Sequence, residues 1–77
     1  MRYTDGNEAM LGDVVAIDEK YQGVVVADID GRKFTNNYSA AQWAYLGTGI
    51  LVDTEFAGLV HYPTVDSERI TLMKRST

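Results

Sequence analysis

Seventy-seven residues make one domain, residues 1–77, near the lower limit of chains that fold alone. The absence of cysteine excludes disulfides and thiolate metal sites, so stability must come from packing or association. The formal net charge of −4 is uneven: in the first thirty residues Asp5, Glu8, Asp13, Asp18, Glu19, Asp28 and Asp30 outnumber Arg2 and Lys20 for a net −5, and the rest of the chain carries +1. That acidity disfavours nucleic-acid phosphates, which are bound by basic groups that release counterions, and either favours a basic protein surface or is simply a solvated acidic face.

The first residues, MRYTDGNEAM, contain no apolar run of signal-peptide length, and no stretch reaches the ~20 apolar residues of a spanning helix. With no cysteine, this gives the expectation of a soluble, cytoplasmic protein. Asp5-Gly6 is a turn dipeptide, and Glu8 to Leu11 read as an irregular approach with one or two apolar anchors. The first strand is expected at Val14–Asp18, with Val15 and Ile17 inward. Glu19 to Gln22 form the turn, and Gly23 opens a second strand through Ile29.

In that second strand, simple alternation puts Val25, Ala27 and Ile29 on the buried face and Val24 and Val26 on the face of Asp28 and Asp30. A strand apolar on both sides is central or strongly curved, or it carries a patch that another chain covers. Asp30-Gly31 is a second turn, and Phe34-Thr35 begin a third strand. Ser39 is placed to cap a helix of about two turns, residues 39–46, which Gly47 and Gly49 end. Trp43 and Leu46, three apart, share a face that packs on the sheet. A strand over Ile50–Thr54, the turn Glu55–Gly58 and a strand over Leu59–Tyr62 make a hairpin that Pro63 stops. Thr64 to Glu68 form a polar loop, Ile70–Lys74 alternates and closes the sheet, and Arg75 to Thr77 read as a frayed basic tail. Five or six short strands with one brief helix make the fold mainly β, a small antiparallel barrel.

Gly12-Asp13-Val14-Val15, then Gly23-Val24-Val25-Val26 and an acidic turn, resemble the opening hairpin of SH3-like barrels, including the KOW type. The resemblance spans Gly12–Ile29 and implies an SH3-like barrel. KOW modules bind RNA or ribosomal partners through bases around this hairpin, and here that region is acidic. The Ala-Leu-Tyr-x-Tyr run of signalling SH3 domains is missing, so binding of proline-rich peptides is not implied.

Chemistry-bearing patterns are few. His61 is the only histidine, with Asp53 and Thr54 on the neighbouring strand as conceivable dyad partners, but an isolated histidine beside Tyr62 reads better as a packed or surface residue. Asp28-Ile29-Asp30-Gly31 begins like a calcium loop, yet its twelfth position is Ser39 instead of a bidentate glutamate, so a hairpin turn is the better reading. Gly47-Thr48-Gly49 has no lysine behind it and reads as a helix stop. Arg32-Lys33-Phe34 and Lys74-Arg75 make a thin nucleic-acid footprint. The expectation is therefore a module without catalytic residues, metal or cofactor. Its partner surface comprises Asp18, Glu19, Tyr21, Val24, Val26, Asp28 and Asp30, suited to an acidic inhibitor or immunity-type protein with a basic partner. The alternatives are a self-associating structural subunit, through the double-sided strand or the Pro63 edge, and a KOW-like nucleic-acid or ribosome adaptor.

Overall fold

The computed structural model describes residues 1–64 and 69–75. Six strands form one antiparallel sheet: β1 (Val14–Ile17), β2 (Tyr21–Asp28), β3 (Lys33–Phe34), β4 (Ile50–Thr54), β5 (Gly58–Tyr62) and β6 (Ile70–Lys74). One short helix, α1 (Ala40–Trp43), runs into a 3₁₀ turn at Ala44–Leu46. The sheet order is β5-β4-β2-β1-β6, with β3 paired to β2, so the last strand returns beside the first. The loop expected over residues 64–68 lies, beyond Thr64, outside the described residues, as do Ser76 and Thr77.

The β1–β2 hairpin differs from simple alternation at its turn. Asp18 and Glu19 adopt φ of 55° and 60°, and the Lys20 amide donates to the Ile17 carbonyl at 3.1 Å. This is the positive-φ pair of a primed hairpin turn, whose twist matches that of the flanking strands. Strand β1 therefore stops before Asp18, and β2 begins at Tyr21, ahead of Gly23. Asp18 also bonds across the sheet, its amide to the Arg69 carbonyl at 2.7 Å and its carboxylate to the Arg69 amide at 3.1 Å.

A second departure decides how the sheet is covered. Val25 pairs with Val52 and Ala27 with Leu51, so Val26 is an extra residue in β2. Such a bulge resets the alternation. Val25 joins the inner core with Val15, Ile17, Ile50, Val52 and Ile70, whereas Ala27 and Ile29 lie in a second cluster with Leu51, on the outer face. The three residues expected on one buried face are all buried, but on two faces. Val26 packs against the outer cluster, and so do Phe34, Trp43, Leu46 and Leu59. The pairing of Trp43 with Leu46 over the sheet is as the spacing predicts.

The helix itself is weakly held. Ser39 occupies the N-cap, but its hydroxyl makes no capping bond; its carbonyl instead accepts from Gln42 and Trp43 at 3.1 and 3.0 Å. No residue of α1 or the 3₁₀ turn is buried. The Trp43 Nε1–H is buried without a hydrogen-bond partner. Gly47, at φ 83° and ψ −50°, ends the segment in a positive-φ conformation that glycine adopts without steric cost, with the Thr48 amide donating to the Leu46 carbonyl at 3.0 Å.

The inner core is sealed by chain ends. Tyr3 and Ala9, on a turn around Asp5-Gly6, are buried in it. Asp13 is also fully buried and accepts from the Tyr3 hydroxyl at 2.6 Å, the Met10 amide at 3.0 Å and Arg75 Nε at 3.1 Å. Arg75 is thus a structural clamp and not a frayed tail, since Nη2 also donates to the Glu8 carbonyl at 2.8 Å. The hydrogen bond to Asp13 holds the Arg75 guanidinium above its ordinary pKa. Burial first, then the same carboxylate, pushes the Tyr3 phenol far above the usual tyrosine range.

Candidate functional site

The seven residues expected to meet a partner do not form one surface. Asp18, Glu19 and Tyr21 lie at one end of β2, while Asp28 and Asp30 lie at the other, roughly 23 Å away at the ~3.3 Å rise of a strand. Val26 lies between them under the outer cover. Asp28 and Asp30 are engaged in local structure. The Asp28 carboxylate accepts from the Gly31 amide at 3.1 Å, and Asp30 pairs with the Met1 ammonium at 3.1 Å. Although partial burial opposes it, the hydrogen bond from Gly49 and the ammonium hold the Asp30 carboxyl below its ordinary pKa. In this turn the positive φ falls on Arg32, at 55°, and not on Gly31. A Cβ at 31 would meet the Asp28 carboxylate, which would have to swing aside from its place over the Gly31 amide.

The opposite end forms a coherent rim. Glu55 and Gln22 are bonded twice, from the Glu55 amide to the Gln22 carbonyl at 3.1 Å and from the Gln22 amide to Glu55 Oε1 at 3.0 Å. This holds the β4–β5 turn, Glu55 to Ala57, against the start of β2. Thr54 braces that turn, its hydroxyl donating to the Gly58 carbonyl at 2.7 Å and accepting from the Ala57 amide at 3.1 Å. Phe56 is thereby stacked on Tyr21, with ring centroids 4.3 Å apart and planes 27° apart. Tyr21 is rooted against the inner core, whereas Phe56 remains 48% exposed. The Lys20 ammonium lies 5.5 Å from the Tyr21 ring centre, and Arg69 reaches Glu19 at only 3.7 Å, with both side chains largely in solvent. Exposed pairs of that kind contribute little, so Glu19 stays open to another cation.

Phe56 is the site residue that sequence reading missed. Its signal was present: a large aromatic at a hairpin tip has no core beneath it and must find a neighbouring ring or a partner. From this rim a shallow groove of about 260 Å³ runs along the outer face, lined by Val14, Gln22, Gly23, Val24, Asp53, Thr54 and Glu55. Glycine is required at 23 from the core side of the sheet, because a Cβ would lie 2.5 Å from Val52 Cγ1.

The conceivable catalytic residues are not assembled. Leu51 stands opposite His61, whereas Asp53 faces Leu59 and Thr54 faces Gly58. The His61 Nε2 lies 2.8 Å from the Thr48 carbonyl oxygen. Among the described residues no group of three or more His, Cys, Asp or Glu is placed to hold a metal ion, and no helix is long and apolar enough to cross a membrane. The basic pairs are divided as well: Arg32 and Lys33 are exposed, but Arg75 is committed to Asp13. Comparison with protein-family models, curated proteins and solved structures finds no match to the chain.

Proposed function

We propose that the protein is a non-enzymatic, cytoplasmic binding module, an SH3-like barrel in type, that holds a basic segment of another protein at the Tyr21–Phe56 rim. The observation that carries this reading is the exposed Phe56 ring, stacked at 4.3 Å on a tyrosine anchored in the core. An aromatic held from behind offers contact area at low entropic cost, and such residues dominate binding energies at interfaces. At the two turns Asp18, Glu19 and Glu55 outnumber Lys20 and Arg69, so a lysine- or arginine-bearing segment gains a modest charge attraction together with contact to the ring face. An inhibitor or immunity-type role toward a basic protein follows from the same chemistry.

The test is calorimetric titration of the intact chain with a peptide alternating arginine and leucine, at low and moderate salt. Binding is expected to weaken with salt and to fall about tenfold or more in Phe56→Ser, a change at an exposed turn. No binding, or binding indifferent to Phe56, would remove the reading. Salt-dependent binding of a single-stranded RNA that Phe56→Ser leaves unchanged would favour a nucleic-acid adaptor in its place.

A further inference from the structure

The groove beyond the rim is one edge of a wider feature on the outer face. Strand registers place Lys74, Val14, Val24 and Asp53 in one row across β6, β1, β2 and β4. The bulge in the β1–β6 ladder makes Met73 the extra residue and sets Lys74 opposite Val14. Val24 is 41% exposed, Met73 is exposed with it, and no helix covers this half of the face, since Trp43 and Leu46 pack over the Ala27–Leu51 half.

The order within the row is what matters. Two valines lie at the centre, with a cation one strand outside them on one side and an anion one strand outside them on the other. Lys74 and Asp53 are both exposed and have no ion pair within the chain among the described residues. Three strand spacings of ~4.8 Å separate them by about 14 Å, too far for direct contact. A two-fold axis parallel to the strands, lying between the two facing sheets over the midpoint of Val14 and Val24, sets Lys74 of one copy over Asp53 of the other, twice. The valines then meet at the axis, as an isologous contact requires.

We propose that this row is a self-complementary interface, and that two copies of the chain associate face to face through Val14 and Val24 with reciprocal Lys74–Asp53 pairs. The occupant is a second copy because the charge pattern matches its own two-fold image; a uniformly basic partner would be opposed by Lys74. The patch is small beside the ~800 Å² per partner of a standard interface, so association is weak and concentration-dependent. The Tyr21–Phe56 rim lies outside the row and is left free in such a pair.

Sedimentation equilibrium of the full chain, from micromolar to millimolar concentration at one fixed ionic strength, reads it directly. The mass is expected to approach twice the monomer at the upper end. Asp53→Lys and Lys74→Asp should each weaken association about tenfold, because each sets like charges against one another twice. The double variant carrying both changes restores complementarity and should return to within about threefold of the original. A monomer throughout, or a dimer indifferent to either single change, overturns the proposal, as does a double variant no better than the singles. Zero-length carbodiimide coupling of mixed light and isotope-labelled chains gives a second reading on the unaltered protein. It should yield a Lys74–Asp53 link between chains, and links confined to other residues would contradict the pairing.

Discussion

The inner face of the sheet holds Val15, Ile17, Val25, Ile50, Val52 and Ile70, each 1% exposed or less, under a lid of Tyr3 and Ala9. The outer face buries Ala27, Ile29 and Leu51, but its cover is a helix of one turn with no side-chain cap and an orphaned indole N–H. The inner face is closed by strands of the sheet itself and by a charged clamp between residues distant in sequence. The outer face is closed halfway by a segment whose own backbone bonds are few. The difference locates stability on one side of the sheet and leaves the other, with the rim, available for association.

The comparison breaks most severely at Asp13. Replacing it with alanine leaves the Tyr3 hydroxyl, the Met10 amide and the Arg75 guanidinium without their shared acceptor. Leaving a buried donor without its acceptor costs ~1–3 kcal/mol, a large part of the stability of a small domain. Urea unfolding followed by circular dichroism should show a loss of that size or an unfolded chain. A loss under ~1 kcal/mol would mean that the clamp does not seal the core.

Alkali probes the same seal more gently. The Tyr3 phenol has its pKa raised in the folded state, so its contribution is fully present below the unfolded value near 10 and is lost as pH climbs above it. Above that point the unfolded chain releases a proton that the folded chain keeps, and stability should fall by about 1.4 kcal/mol per pH unit from this one group. Tyr3→Phe should flatten that slope by about one proton while lowering stability at neutral pH. An unchanged slope would place the phenol in water.

The smallest effect belongs to the outer cover. Trp43→Phe keeps an aromatic over Leu51 and removes a buried donor that has no acceptor, so the two changes oppose one another. Stability should move by less than about 1 kcal/mol, and a larger loss would show that the cover is an integral part of the core.

Most strands were legible because their signals are local: Val15 and Ile17 alternate, β4 and β6 begin and end as expected, and Gly47 stops the helix. The bulge at Val26 carried no such mark, because a run of three valines looks the same whether or not one is extra. Its consequence, two covered faces in place of one, follows only from the register against β4. Asp13 followed a glycine and read as another surface acid, although it is held by Arg75, 62 residues away. No pattern within a strand's length encodes that pair. Of the rim, Tyr21 and its acidic neighbours were readable, but the stacking of Phe56 depends on two turns meeting side by side.

Native-state hydrogen exchange tests the unequal faces most directly. The Val25 amide, bonded to the Asp13 carbonyl at 2.9 Å, should exchange only through global unfolding, with the full denaturant dependence of that transition. The amides of Gln42 and Trp43, both bonded to the Ser39 carbonyl, should exchange through local opening at far lower free energy and with little response to denaturant. Exchange of both sets at one free energy with one denaturant slope would contradict the account, because the outer cover would then be as much a part of the folded unit as the core beneath it.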